Sequence, residues 1–122
     1  MANFYQQKIM SHYKMPCCKG KLDNYTLRFE GKNPLCGDEV VIYLQLDKKK
    51  RIKEVGWEGQ GCVISQAATS ILAEMIKGKS LAELKNLTAD KFIAKLEIEL
   101  SPSRRKCALL PLFAIKEECV DN

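Results

Sequence analysis

GQGCVISQAATSILAEMIKG, residues 59–78, is where the chain changes its hydrophobic period. Before it, apolar residues alternate one by one. From Val63 onward, Ile64, Ala67, Ala68, Ile71, Leu72, Met75 and Ile76 recur three and four apart. Alternation by two marks a half-buried strand, and a three-and-four stripe marks a helix with one apolar face. Gly59 and Gly61 make a tight turn between the two regimes, and Gly78 stands where the stripe ends. The stretch therefore divides the chain into a sheet-forming half and a helical half.

Upstream, RIKEVGWEG (51–59) reads as a strand carrying Ile52, Val55 and Trp57. In EVVIYLQLD (39–47), Val40, Ile42, Leu44 and Leu46 face one way, and Val41, Tyr43 and Gln45 the other. In LDNYTLRFE (22–30), Tyr25, Leu27 and Phe29 alternate with Thr26, Arg28 and Glu30. Short connections make these strands an antiparallel meander. Residues 3–14 are loosely helical and are broken by Pro16 and Gly20. Downstream, Ser80 and Thr88 stand as N-caps of two short helices, SLAELKN and TADKFIAKLE. LSPSRRK (100–106) reads as a break, and a terminal helix begins near Cys107, with Pro111 tolerable only in its first turn. The expectation is an α+β fold, a three-stranded antiparallel sheet packed against helices in a single domain over residues 1–122.

A chain of 122 residues supports one modest core. Its net charge of +5 is spread out, with short clusters only at KKKR (48–51) and RRK (104–106). KKKR falls between two strands, where a solvated hairpin turn is expected. No basic stripe interleaved with aromatics appears, so nucleic acid is not an expected partner. No apolar run approaches the ~20 residues that cross a bilayer, so no membrane is expected either. MANFYQQKIMSHYK has no apolar h-region, which points to a cytoplasmic protein. In that reducing setting six cysteines bind metal, perform chemistry or sit in the core rather than pair.

Three cysteines occupy comparable places. Cys36 lies in the loop before the second strand, Cys62 follows the glycine turn before the main helix, and Cys107 precedes or begins the last helix. Element ends of this kind can converge on one edge of a sheet-and-helix sandwich. At Cys62 and Cys107 the unpaired N–H groups of a helix start favour thiolate. Asp38 shares the loop of Cys36. Three thiolates and a carboxylate suit tetrahedral Zn²⁺ or the irons of a small iron–sulfur cluster. The spacings of 26 and 45 residues match no zinc finger, so three unrelated thiols are the competing reading. Four negative donors around a dication leave two uncompensated charges, which Arg104, Arg105 and Lys106 could balance; a solvated basic turn is the alternative for Arg104. Cys17 and Cys18 are read as two surface thiols, because adjacent Cα atoms, ~3.8 Å apart, strain a disulfide. Cys119 is read as structural or incidental, and His12 as a surface or packing residue.

NPLCGDEV (33–40), GQGCVISQAATS (59–70) and SRRKCALLPLFA (103–114), together with an opening helix followed by HYKMP, resemble the U-type iron–sulfur cluster assembly family. Its members are the IscU-like and SufU-like proteins and the N-terminal domain of NifU. The resemblance spans nearly the whole chain. It implies Cys36, Asp38, Cys62 and Cys107 as the ligand set for Zn²⁺ or a transient [2Fe–2S] cluster. It also implies a cysteine desulfurase as sulfur donor and downstream cluster or sulfur acceptors as partners. Persulfide would be accepted at Cys36, with Cys107 the second candidate, and Asp38 would be the labile ligand. IscU-like members carry a Leu-Pro-Pro-Val-Lys segment for a dedicated Hsp70 and a His before the third cysteine. Here that region is SPSRRKC, with Lys106 before Cys107, which argues against Hsp70 docking. The Arg-x-Lys-Cys-Ala pattern resembles the SufU side, yet the 45-residue interval lacks the usual SufU insertion. A scaffold, rather than a conventional enzyme, is the leading expectation. A zinc-dependent sulfurtransferase, a structural zinc interaction module and a thiol redox switch are the alternatives.

Overall fold

The computed structural model describes the backbone of residues 4–33 and 37–120, and the side chains of 7–33 and 37–116. In chain order the elements are α1 (Phe4–Lys14), β1 (Leu27–Asn33), β2 (Asp38–Leu46), β3 (Ile52–Gln60), α2 (Val63–Ile76), α3 (Leu81–Lys85), α4 (Ala89–Leu96) and α5 (Pro102–Val120). The strands form one antiparallel sheet in the order β1-β2-β3. The expected α+β architecture is therefore the observed one. Among the described residues no helix is long and apolar enough to cross a membrane.

Register explains which sheet face is dry. Phe29 pairs with Ile42 and Ile42 with Trp57, so these three side chains share one face, and all are buried. α2 and α5 cover that face, and α1 packs on α2. Ile42, Trp57, Leu72 and Ile115 form the centre of the core, each no more than 2% exposed. β1 begins and ends later than its alternation suggests. The preceding segment is drawn to the far edge of the sheet, where Trp57 N–H donates to the Cys18 carbonyl at 3.2 Å and Gly20 N–H to the Trp57 carbonyl at 2.7 Å. At its other end β1 continues to Asn33, because Asn33 pairs with Asp38 across the hairpin.

The KKKR turn is solvated as expected, and Asp47 ties it down. One carboxylate oxygen accepts the N–H groups of Lys49 and Arg51, at 2.8 and 2.9 Å. Those bonds, first that from Arg51, hold the Asp47 carboxyl below its ordinary range. Ser80 and Thr88 cap α3 and α4, and Ser80 forms a reciprocal box with Glu83.

α5 departs from expectation. It starts at Pro102, not near Cys107, and carries Pro111 in its interior. Ser101 is the physical reason for the early start. Its carbonyl accepts Arg105 N–H at 2.8 Å and its hydroxyl Arg104 N–H at 3.4 Å, while Pro102 occupies the first helical position, where its missing N–H costs nothing. Interior proline costs ~3 kcal/mol or more in a free helix. Here its ring is fully buried, and that packing offsets the loss.

Candidate metal centre

Asp38 opens β2 directly after the β1–β2 connection and is 1% exposed. A carboxylate so enclosed needs donors or a cation. One donor is the N–H of Cys62, 3.0 Å from Asp38 Oδ1. Cys62 itself is the N-cap of α2, in extended conformation, and its Sγ accepts Ser65 N–H at 3.5 Å. The turn before it brings the start of β2 and the start of α2 together. Gly61 has φ +145°, and a Cβ there would collide with the Asp38 carboxylate. Only glycine allows both that backbone and that contact. α5 supplies the third group, Cys107, which is 8% exposed.

Donor atoms of Asp38, Cys62 and Cys107 all lie within 4.8 Å of one another. Cys62 Sγ is 3.7 Å from Asp38 Oδ2. A tetrahedral ion bound by sulfur at ~2.3 Å and oxygen at ~2.0–2.2 Å spaces its ligand atoms roughly 3.5 Å apart. The three side chains thus fit a thiolate–carboxylate metal site that a fourth donor would complete as a tetrahedron. Cys36, the remaining expected ligand and sulfur acceptor, lies outside the described residues. Chain connectivity keeps it two positions from Asp38, in a connection closed by Gly37 N–H donating to the Asn33 carbonyl at 2.9 Å.

Cys107 does not stand at a helix start, as its surroundings suggested, because α5 begins five residues earlier at Pro102. Cys107 is the sixth helical residue, beyond the first turn where the macrodipole acts. Burial and proximity to Asp38 are what distinguish it. Of the basic residues before it, Arg105 places its guanidinium on Asp90 of α4 at 2.7 Å. Arg104 is exposed. Lys106 lines a groove of about 420 Å³ between β1 and α5 with Asn33, Leu110 and Phe113.

His12 stays out of the cluster, with Nδ1 2.8 Å from Ser70 Oγ between α1 and α2. Cys17 and Cys18 are not plain surface thiols: both are half-buried, with sulfur atoms 2.8 Å apart. The side chain of Cys119 lies outside the described residues. Two contributors escaped the sequence reading. Gly61 was visible only as a turn former, and Ser65 as an ordinary helix residue. The Gly-x-Gly-Cys spacing was the available signal for the first.

Fold and site together define a small sheet-and-helix domain that gathers two cysteines and a carboxylate where the start of β2, the start of α2 and the interior of α5 meet. Residues 4–121 match the model of the NifU-like N-terminal domain family, and the chain belongs to that family. It is 35% identical to the iron–sulfur cluster assembly scaffold protein IscU of Thermotoga maritima, over 93% of this chain and 90% of that protein. It is 40% identical to the zinc-dependent sulfurtransferase SufU of Bacillus subtilis over 77 residues, 63% of this chain and 51% of that one. Among solved structures, a candidate SUF-system scaffold (FiSufU) from Fervidobacterium islandicum superposes with a TM-score of 0.77 at 34% identity, covering 91% of this chain and 93% of the other.

Proposed function

We propose that the domain formed by residues 1–122 is an iron–sulfur cluster assembly scaffold, with Cys36, Asp38, Cys62 and Cys107 as ligands of the nascent cluster. The supporting observation is the meeting of buried Asp38 with Cys62 and Cys107 within 4.8 Å. The cluster is cargo, so the site must both hold it and let it go. Iron–sulfur clusters select thiolate over carboxylate ligands, which makes Asp38 the donor that opens first. Sulfur enters when the thiolate of Cys36 attacks the outer sulfur of a desulfurase persulfide. A new S–S bond forms at Cys36, and the desulfurase thiolate leaves. Cys107 is the second candidate, but its burial makes it a poor target for a partner's sulfur. Lys106, next to Cys107 in the chain, is the residue that would balance the donors' charge, since Arg105 is bound to Asp90 at 2.7 Å. The partners are a cysteine desulfurase and a downstream acceptor of cluster or sulfur, in a cytoplasm that keeps the thiols reduced.

The similarity to SufU favours a second reading, in which the same four residues hold Zn²⁺ and the domain relays persulfide without building a cluster. Bound there, zinc would keep the thiolates deprotonated and in place. Anaerobic incubation with iron, a cysteine desulfurase, cysteine and a reductant separates the two. A stoichiometric [2Fe–2S] absorption spectrum supports the scaffold. Retained zinc, no cluster and a persulfide mapped to Cys36 support transfer instead.

A further inference from the structure

Cys17 and Cys18 lie outside the metal centre, and nothing proposed above uses them. Side chains of successive residues in extended chain point to opposite sides, which would separate these thiols. Instead their sulfur atoms are 2.8 Å apart. The cause is visible in the backbone: Cys18 has φ +67°, a left-handed conformation that a residue with a Cβ adopts at a cost. Such an outlier persists only when its surroundings hold it. Here Trp57 supplies that restraint, with Nε1–H donating to the Cys17 carbonyl at 2.8 Å and its backbone N–H to the Cys18 carbonyl at 3.2 Å. Ser70 Oγ accepts Cys17 N–H at 2.7 Å, fixing the pair against α2.

We propose that Cys17 and Cys18 form a redox-active dithiol that closes reversibly to a vicinal disulfide when a small-molecule disulfide oxidises it. The thiolate of Cys17 attacks the oxidant, forming a mixed disulfide and releasing one thiol. Cys18 then gives up its proton and attacks the Cys17 sulfur, releasing the second thiol. The two cysteines lose two electrons and two protons, and the oxidant's sulfurs gain them. Burial, followed by the contact with Cys17, pushes the Cys18 thiol up to about 12, so it keeps its proton until its neighbour has reacted. Capping Cys17 removes the adjacent charge and the hydrogen bond that help hold that proton. The product is strained, since adjacent Cα atoms sit closer than a relaxed disulfide allows, and strained disulfides are readily reduced. The site therefore responds to oxidising conditions and resets when they pass. Its closure moves the two carbonyls that hold the only tryptophan of the chain.

Trypsin gives a direct readout, because cleavage after Lys14 and Lys19 yields MPCCK, which contains these two cysteines and no other. Folded protein is treated with oxidised glutathione, acid-quenched, alkylated, digested and weighed. The expected pentapeptide is two hydrogen masses lighter and unalkylated, forms about tenfold faster from folded than from urea-unfolded chain, and reverts with dithiothreitol. Trp57 fluorescence should shift in step, and the shift should vanish in both Cys17→Ser and Cys18→Ser. A pentapeptide carrying two alkyl groups overturns the proposal. So does stable glutathionylation, crosslinking to another cysteine peptide, or equal rates in folded and unfolded chain.

Discussion

Asp38 is almost wholly enclosed, yet its carboxylate faces two sulfur donors as well as the Cys62 N–H. Removing the carboxylate takes away the weakest donor and one negative charge. For Asp38→Ala a reconstituted cluster should persist longer, read as slower loss of visible absorbance to a chelator. An unchanged lifetime would remove the gating role. Gly61→Ala tests the cradle from the other side. Its methyl group would collide with the Asp38 carboxylate at a φ that favours glycine, costing ~1–3 kcal/mol in urea unfolding. It should also weaken zinc binding, as measured by competition with a chromophoric chelator. Cys18 supplies a pH dependence. Its thiol rises from 9.0 to about 12, chiefly by burial. A raised acid stabilises the fold fully below pH 9, and that contribution is lost as pH rises through 12. Between those limits the wild type should lose more urea resistance than Cys18→Ser, and parallel curves would count against it.

At the scale of elements, the site depends on how closely α5 approaches β1. Gly31 faces α5, and a Cβ there would stand 2.8 Å from the Ala114 Cβ. Gly31→Val should push α5 away at a cost of ~1–3 kcal/mol. Cys107 would move with it, while Asp38 and Cys62 keep their mutual hydrogen bond. Metal affinity should therefore fall further than Cys62 alkylation rates change. α2 was legible because one apolar stripe and its Gly-x-Gly-Cys start agree. α5 was not, because Ser101-Pro102 signals both a break and a capped helix start, and burial of Pro111 overrides the local cost that suggested a later start. The left-handed turn at Cys18 left no mark in the sequence either, since it is imposed by Trp57, some forty residues away. Side-chain alternation located β1, but its ends were set by long-range partners, Trp57 for the preceding segment and Asp38 for its last residue.

For the whole molecule, the question is whether metal builds the fold or only uses it. The element-end expectation holds for Cys62 but not for Cys107, which lies inside α5; what brings the two together is sheet register and α5 crossing β1. That packing rests on an apolar core centred on Ile42, Trp57, Leu72 and Ile115, and the donors lie at one margin of it. Domains whose metal replaces a core unfold when it is removed. This one has the core already, so chelation should leave far-UV circular dichroism and Trp57 emission at their folded values. Stability should still drop by linkage, by about 2.7 kcal/mol for free zinc at a hundred times its dissociation constant. The check is a pair of urea titrations, with zinc at that excess and with chelator, followed by tryptophan fluorescence. A folded baseline in both, with a lower midpoint in chelator, places the metal on a preformed scaffold. Loss of the baseline in chelator would make the domain a structural zinc module, and a cargo that must leave would no longer fit it.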